Sequence, residues 1–382
     1  AFRAADLGYE VLVVDEGARL GGVCLHRGCI PSKTLLYLSE LLYDARHSDD
    51  LGVKFGEPEI DLDQVRDFKN RVVDRLANGL MSLAEHRDIQ VIQGRAEFED
   101  SRTLRLQGTD LAHVHFDHAI IATGSHTIPL PGTEFKDGAR IVDSTGALQL
   151  KDVPERLLVV GGGYVGLELG SVYAALGSEV TVVEMLDRVI ANSDEDLARP
   201  LVNRIDEIFK AVHTNTKVGE MEEEGDGVRV TLDGDVEEKV QTFDRVLVAI
   251  GRRPNSKNLG LENTGVKVDE RGFIQVDDRQ RTAEDHVFAI GDVVGGMMLA
   301  HKAMYEGKIA AEVIAGLPAA FDAAAIPAVV YTDPQLAWAG LTEQEAEKEG
   351  RDIEIARFPW RASGRALTMD APEGLTKVIV DP

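Results

Sequence analysis

The sequence predicts an α/β fold with two Rossmann-like, three-layer nucleotide-binding domains and an incomplete α+β interface domain. The main observation is a repeat. Leu7–Asp15 and Leu176–Glu184 lie 169 positions apart, and each contains a helix end, a glycine, an apolar strand and a final carboxylate. This pattern is typical of the second strand of a dinucleotide-binding βαβ unit. Abundant glycine (37 residues) and few aromatic residues (5%) agree with an α/β protein.

The bulk composition restricts the classes of partner. At 382 residues the chain is long enough for two or three domains. Its net charge of −25 makes nucleic acid and anionic membrane surfaces unsuitable partners. No stretch approaches about 18 consecutive apolar residues, so no membrane span is predicted and a cytoplasmic location is expected. The acidity is compatible with high solubility, with a basic partner surface or with a saline habitat.

The first nucleotide-binding region is expected to lack its beginning. In the second copy of the repeat, the strand Leu157–Val160 and a glycine motif precede the helix. Subtracting 169 from the glycine positions gives numbers before Ala1, so we expect a leading strand and glycine loop upstream of this chain. The region continues with helices at Leu35–Ala45 and Leu62–Glu85 and strands at Ile89–Gln93, Thr103–Leu106, His113–Phe116 and Ala119–Ser125.

Breaks in the pattern divide the chain into four regions. They are the first part of one nucleotide-binding domain (1–143), a second nucleotide-binding domain (144–265), a return to the first domain (266–325) and the start of an interface domain (326–382). The second region closes with the strand Arg245–Ile250 and contains an acidic hairpin at Glu220–Asp235, interpreted as a solvated surface. The last region stops just after a strand, so we expect it to continue beyond Pro382. Further elements are the strand Val287–Asp292 and the helices Ala300–Ala315 and Glu343–Lys348.

The only two cysteines, Cys24 and Cys29, form a close pair. Such a pair indicates redox or metal chemistry rather than structural stapling, and two ligands alone do not close a zinc site. A regular helix would separate the two Cα atoms by about 7.5 Å, too far for a disulfide. We therefore expect a loop or a distorted helical turn, which Gly28 makes accessible. Pro31 suits the first turn of a following helix, and the dipole of that helix would lower the pKa of Cys29.

The segment Gly-Gly-x-Cys-x4-Cys-x3-Lys at residues 21–33 resembles the active-site signature of the flavin-dependent pyridine nucleotide–disulfide oxidoreductases. Its residues are most similar to those of the branch of that family that oxidises dihydrolipoamide. The resemblance implies FAD and NAD as cofactors, one for each nucleotide-binding domain, and a redox disulfide between Cys24 and Cys29. It also implies a homodimer, and as partner the lipoyl domain of a 2-oxo acid dehydrogenase complex.

The predicted NAD site follows from the glycine motif in its context. Gly161, Gly163 and Gly166 come directly after a strand and open a helix, as a dinucleotide fingerprint requires. Glu184 lies at the next strand end, where it would bind the ribose and repel a 2′-phosphate, so NAD is favoured over NADP. Arg188 is a nearby cation that argues the other way, and a purely structural glycine turn is the alternative. Gly251 and Tyr164 complete the predicted set; by resemblance Tyr164 would cover the flavin, although a packed tyrosine is the other interpretation.

The predicted FAD site is carried over from the family motifs. Asp15 is the counterpart of Glu184 in the repeat and would bind the FAD ribose. By resemblance, Asp292 binds the ribityl chain, and the turn Leu299–Ala303 offers backbone amides to the flavin ring. A purely structural His301 is the alternative for that residue. The complete predicted set is Asp15, Gly22, Lys33, Ala96, Thr123, Gly124, Ser125, Asp292, Leu299, Ala300 and His301.

The predicted catalytic residues are Cys24, Cys29, Lys33 and Glu168. Lys33 lies one helical turn after Cys29. By resemblance its ammonium sits near the flavin and is neutralised by the Glu of a Gly-Leu-Glu motif, here Glu168. In the family, Cys24 exchanges with the substrate and Cys29 faces the flavin, and a His-Pro motif in the partner subunit supplies the base. No His-Pro occurs in this sequence.

Alternative functions remain at this stage. Glutathione, mercuric and related disulfide reductases are sister activities, and a non-catalytic nucleotide-binding fragment is a different class. No metal site is predicted. Three histidines at 113, 115 and 118 could suggest one, but alternation places His113 and His115 on one face of a strand, which is interpreted as a solvated edge.

Overall fold

A computed structural model describes residues 1–380 of the chain, and these contain both helices and strands. The helices are α1 (Phe2–Asp6), α2 (Gly22–Arg27), α3 (Cys29–His47), α4 (Leu62–Glu85), α5 (Ser144–Leu148), α6 (Tyr164–Leu176), α7 (Glu195–Ile208), α8 (Ala300–Ile314), α9 (Glu343–Glu349) and α10 (Gly364–Thr368). Short 3₁₀ turns lie at Ser48–Leu51, Leu261–Asn263, Gly291–Val294 and Trp360–Ala362. Within residues 1–380, no helix combines the length and the apolar character that crossing a bilayer requires.

The strands are short, and most belong to sheets of two or three strands. They are β1 (Leu12–Asp15), β2 (Gln90–Gln93), β3 (Arg95–Asp100), β4 (Thr103–Gln107), β5 (His113–His115), β6 (Ala119–Ile121), β7 (Ser125–Thr127), β8 (Ile141–Val142), β9 (Arg156–Val160), β10 (Glu179–Val183), β11 (Ala211–His213), β12 (Lys217–Glu224), β13 (Gly227–Asp233), β14 (Val240–Phe243), β15 (Arg245–Val248), β16 (Arg252–Pro254), β17 (Val287–Ala289), β18 (Ala328–Val330), β19 (Leu336–Trp338), β20 (Glu354–Pro359) and β21 (Leu375–Val380).

The chain divides into two compact units. The first comprises residues 1–30, 70–127 and 252–323. In it β1 pairs with β2 in parallel, β6 pairs with β17 in parallel, and β3, β4 and β5 form an antiparallel sheet. Its main core contains Phe98, Ile121, Ile274, Val287 and Val293. Because β6 and β17 run in parallel, their carboxyl ends and the loops that follow them meet at one edge.

The second unit comprises residues 31–69, 128–251 and those from 324 onward. Its centre is a five-stranded parallel sheet in the order β11-β10-β9-β15-β8. The strands β9 and β10 are almost continuous runs of buried apolar residues, as expected for a parallel sheet covered on both faces. An antiparallel sheet of β12, β13 and β14 contains the predicted acidic hairpin.

The predicted α/β fold class is confirmed, and the longer predicted elements lie close to the observed ones. The helix predicted at Leu62–Glu85 has those bounds in the structure, and the helix predicted at Ala300–Ala315 is α8. The strand β3 (Arg95–Asp100) was not predicted. The sequence-based domain boundaries remain a prediction, since the two compact units group the segments differently.

Candidate functional site

The cysteine segment consists of two helices broken at one residue. Cys24 lies in α2 and Cys29 is the first residue of α3, and between them Gly28 has φ −148° and ψ −111°. A Cβ on Gly28 would lie 3.0 Å from the Val23 carbonyl oxygen and 3.4 Å from the Cys24 Cα. The distorted turn that the spacing predicts is therefore present, and only glycine fits it without a shift of the chain. Both cysteines are half-buried thiols, so the disulfide form stays a prediction.

Lys33 and Glu168 form the ion pair that the motifs predict. The Lys33 Nζ donates to Glu168 Oε2 at 2.7 Å and to Oε1 at 3.0 Å. The Glu168 side chain is 3% exposed, whereas that of Lys33 is 31% exposed. The same carboxylate accepts the backbone N–H of Tyr331 at 2.9 Å, and the Lys33 Nζ lies 4.5 Å from the centroid of the Tyr331 ring. A buried carboxylate is thus satisfied by an ammonium and an amide from two different segments of the second unit.

The glycine loop lies between β9 and α6, and each of its fingerprint glycines has its own geometry. A Cβ on Gly161 would lie 2.5 Å from the Ala249 carbonyl oxygen, and one on Gly166 would lie 2.1 Å from the Gly161 carbonyl oxygen. Gly163, by contrast, has open space at its Cβ position and is the N-cap of α6. Its missing side chain leaves the first N–H groups of α6 accessible to an anion, which is the arrangement that binds a pyrophosphate.

Glu184 and Asp15 make matching contacts in the two copies of the repeat. Glu184 Oε1 accepts the backbone N–H of Leu186 at 2.8 Å, and Asp15 Oδ1 accepts that of Gly17 at 2.7 Å. In each pair the carboxylate lies two positions before the amide, at the end of a strand. Glu184 Oε2 also accepts the N–H of Gly162 at 2.7 Å, which fixes the carboxylate beside the glycine loop. These contacts extend the sequence repeat to the level of single hydrogen bonds.

The segment 123–125 and Asp292 meet after the parallel strands β6 and β17 of the first unit. The Ser125 hydroxyl donates to Asp292 Oδ2 and accepts from Arg252 Nε at 2.7 Å. Arg252 Nη2 donates to the Ser125 carbonyl at 2.7 Å, and Thr123 Oγ1 donates to the Asn255 carbonyl at 2.7 Å. Hydrogen bonds with Arg252 in β16 and with Asn255 after it therefore fix the residues that follow β6.

The other predicted residues lie on separate segments. Gly22 has φ +60° and Gly124 has φ +71°, and both have open space at the Cβ position. Ala96 lies in β3, opposite Leu106. Leu299 is the N-cap of α8, and Ala300 and the exposed His301 form its first turn. In the second unit, Gly251 has φ +122° after β15, and Tyr164 is the first residue of α6 and is 41% exposed.

The residues present fit the two cofactors that the resemblance implies. In the second unit, the open Gly163 position, the start of α6 and the Glu184 carboxylate could hold the pyrophosphate and ribose of a dinucleotide. In the first unit, Asp15, Asp292, the open backbone at Gly22 and Gly124 and the start of α8 could hold FAD.

Some site residues were not predicted. Arg252 and Asn255 follow the predicted residue Gly251 in the sequence but were not predicted themselves. Tyr331 was not predicted, because its contact with Glu168 joins positions 163 residues apart. His113 and His115 are exposed on β5, at the edge of its sheet in the first unit, with Glu99 and Thr103 as neighbours.

Comparisons with known proteins agree with this geometry. A family model for the pyridine nucleotide-disulphide oxidoreductases matches residues 1–307, and the model for the dimerisation domain of that family matches residues 326–382. The dihydrolipoyl dehydrogenase of Haemophilus influenzae is 48% identical over 100% of this chain and 80% of its own length. That of Geobacillus stearothermophilus is 45% identical over the same shares.

Solved structures give the same result for the fold. LpdA from Mycobacterium tuberculosis superposes with a TM-score of 0.90 at 26% identity, covering 100% of this chain and 85% of its own. The HOCl-induced flavoprotein disulfide reductase RclA from Escherichia coli superposes with a TM-score of 0.86 at 30% identity, covering 100% and 83%.

Proposed function

Because the chain belongs to the pyridine nucleotide–disulphide oxidoreductase family, we propose that it oxidises dihydrolipoamide to lipoamide with NAD⁺ as a dihydrolipoyl dehydrogenase. The observation that carries the proposal is the broken helix at Gly28, with Cys24 before the break and Cys29 at the start of α3. The similarity to dihydrolipoyl dehydrogenases over the whole chain supports this activity over the sister reductases.

The two cysteines would carry the exchange with substrate. In the oxidised pair, one thiol of dihydrolipoamide attacks the Cys24 Sγ, forming a mixed disulfide and releasing Cys29 as a thiolate. The second substrate thiol then attacks the sulfur bound to Cys24, which closes the lipoamide ring and releases Cys24. The Cys29 thiolate is stabilised at the start of a 19-residue helix by the helix dipole.

FAD and NAD(H) are the cofactors of this family, and FAD, when bound, passes the electron pair from the cysteines to NAD⁺. Lys33 would present a positive charge to bound FAD, held in place by the buried Glu168 carboxylate. Glu184, fixed beside the glycine loop, would bind the ribose hydroxyls and repel a 2′-phosphate, which favours NAD over NADP.

The match to a dimerisation domain at residues 326–382 supports a homodimer. We infer further that the lipoyl domain of a 2-oxo acid dehydrogenase complex delivers the substrate, and that the protein works in the cytoplasm. By resemblance, a base from the interface domain of the partner subunit would take the proton of the attacking substrate thiol.

The proposal is tested on the purified protein, whose bound FAD is quantified first. NAD⁺-linked oxidation of dihydrolipoamide is measured beside NADH-linked reduction of glutathione disulfide. We expect turnover only with the lipoyl substrate. Turnover of glutathione disulfide with no activity on dihydrolipoamide would assign a sister activity instead, and absence of FAD would remove the flavoprotein assignment.

Two single substitutions separate the roles of the cysteines. Cys24→Ser should abolish turnover but keep the long-wavelength absorption that a thiolate beside flavin produces. Cys29→Ser should abolish both. The opposite assignment of the absorption would reverse the roles proposed for the two thiols.

A further inference from the structure

A buried ion pair lies on α8, and its first residue, Lys302, directly follows the predicted FAD residue His301. Lys302 and Glu306 are separated by one helical turn, and their side chains are 8% and 4% exposed. The Lys302 Nζ lies 2.5 Å from Glu306 Oε1. Within residues 1–380 the Lys302 ammonium has no acceptor with good hydrogen-bond geometry. Its contact with Glu306 is therefore an electrostatic attraction and not a well-aligned hydrogen bond.

The other oxygen of Glu306 has a different function. Glu306 Oε2 accepts the buried backbone N–H of Gly291 at 2.7 Å. Gly291 has φ +77°, and a Cβ on it would lie 3.1 Å from the Ala303 Cβ, so the loop lies directly against α8. Gly291 immediately precedes Asp292. The Glu306 carboxylate therefore holds the backbone of the Gly291–Asp292 loop to α8.

The same helix carries the second predicted flavin segment. Its N-cap and first turn are Leu299, Ala300 and His301, one to two turns before Glu306. The Asp292 side chain is restrained separately, because the Ser125 hydroxyl donates to its Oδ2. Glu306 thus fixes the spacing between the loop that presents Asp292 and the helix start that presents backbone amides.

We propose that Glu306 is a positioning residue for FAD, and that its function is to accept the Gly291 N–H while Lys302 only neutralises its charge. The inference rests on the proposed function, since it assumes that Asp292 and the start of α8 bind FAD. A buried N–H that loses its acceptor must find another partner, and the loop can do so only by moving away from α8. One of the two segments that bind FAD, the loop that presents Asp292, would then be displaced.

Two double variants separate positioning from a structural role of the ion pair. Lys302→Met/Glu306→Gln removes both charges but keeps a side-chain oxygen for Gly291, whereas Lys302→Met/Glu306→Leu removes both charges and the acceptor. Replacing a buried ion pair by apolar side chains of similar volume is often tolerated, so both variants are expected to fold. The measurement is the rate at which FAD fluorescence appears when each holoprotein is diluted, with thermal unfolding recorded in parallel.

We expect the Leu variant to release FAD about tenfold faster or more than the Gln variant, whose rate stays within about threefold of wild type. Lys308→Met is the matched control, because Lys308 makes an i,i+4 pair with Glu312 on the same helix but is 59% exposed. It should leave FAD release unchanged. Equal release rates in the two double variants would overturn the proposal.

Hydrogen exchange gives a second measurement that requires no substitution. In the wild-type holoprotein the Gly291 amide should exchange slowly, because it donates to a buried carboxylate, and rapid exchange would overturn the proposal even if the Leu variant did not fold. A wild-type protein without FAD would refute the proposed function itself. Wild-type FAD binding with equal release from both variants would refute only the role of Glu306.

Discussion

The Glu168 carboxylate is a tightly constrained polar group of the second unit. It is almost fully buried and accepts hydrogen bonds from the Lys33 ammonium and the Tyr331 amide. Lys33 is partly exposed and contacts this carboxylate and the face of the Tyr331 ring. Loss of the lysine alone therefore leaves a buried negative charge on Glu168. If Glu168 is also replaced by glutamine, no charge is left, and the glutamine side-chain oxygen can still accept the Tyr331 N–H.

We expect Lys33→Met to lower the free energy of unfolding by about 2 kcal/mol, the value of a hydrogen bond to a charged group. Lys33→Met/Glu168→Gln should recover most of that loss. Turnover should be lost in both variants, because both lack the ammonium. Urea unfolding and dihydrolipoamide oxidation measure the two effects. If Lys33→Met were as stable as wild type, burial of the Glu168 carboxylate would not depend on its ion pair with Lys33.

At the scale of elements, the loop between β9 and α6 separates two requirements for glycine. Gly166 is close to the Gly161 carbonyl, and a side chain there would clash with the protein itself. Gly163 has open space, and a side chain there would clash only with a ligand that approaches the helix start.

Gly163→Ala should therefore leave the melting temperature within about 1 °C of wild type and weaken NADH binding about tenfold or more, because a methyl group would occupy the space of the pyrophosphate. Gly166→Ala should lower the melting temperature, because its Cβ would lie 2.1 Å from the Gly161 oxygen. Thermal unfolding without nucleotide and titration with NADH separate the two. Unchanged NADH affinity in Gly163→Ala would contradict the assignment of this loop.

We expect the break between α2 and α3 to bring the two cysteines within disulfide range. In Gly28→Ala, the clash with the Val23 carbonyl would favour a more continuous helix, which separates the cysteines beyond disulfide range. We expect the disulfide to form about tenfold less favourably, since poor disulfide geometry stores several kcal/mol. Thiol titration in glutathione buffers measures the equilibrium.

Gly79→Ala is the matched control for this substitution, because Gly79 lies inside α4 with open space at its Cβ position. It should leave the thiol equilibrium unchanged and stabilise the helix slightly. An equal shift in both variants would show that the break at Gly28 has no specific effect on the cysteines.

Elements with a strong period or an internal repeat could be predicted, and elements defined by long-range contacts could not. The helix α4 shows its amphipathic period over 24 residues, and the glycine loop is marked by the repeat. The strand β3 was missed because its charged residues Arg95, Glu97 and Asp100 suggest a loop. In the fold they are compatible with a strand, since Glu97 lies between Arg95 and Arg105.

At the scale of the whole chain, the contacts that could not be predicted join residues more than a hundred positions apart. Ser125 with Arg252 and Glu168 with Tyr331 are two such pairs. Neither leaves a periodic or local trace, because the partners are brought together only when distant strands and helices pack. The resemblance supplied Lys33 and Glu168 as a pair, but no pattern indicated the tyrosine that completes it.

Another cluster of long-range contacts joins α7 to β21. The Lys377 Nζ contacts Asp194, Asp196 and Glu343, and its side chain is 3% exposed. Burial alone would lower the pKa of Lys377, but the hydrogen bonds to Asp194, Glu343 and Asp196 raise it above the ordinary value. The pKa of Asp196 is lowered, because hydrogen bonds from Arg357 and Lys377 outweigh the effect of burial.

Lys377→Met should lower the free energy of unfolding by about 3 kcal/mol near pH 7, since it leaves the buried Asp194 and the half-buried Asp196 and Glu343 without their ammonium. The contribution of Lys377 is present below pH 10.5, its ordinary pKa, and is lost as the pH rises through the higher folded value. That of Asp196 is present above pH 3.8 and is lost as the pH falls through its lower folded value. The difference in stability between wild type and Lys377→Met should therefore be largest between these limits and shrink on both sides, as urea unfolding at several pH values would show.

Lys210→Met is the control, because Lys210 and its partner Glu179 are 62% and 56% exposed and their pair contributes little. A difference that stayed constant well below pH 3.8 and well above pH 10.5 would show that packing of the Lys377 stem, rather than its charge, holds the last strand to α7.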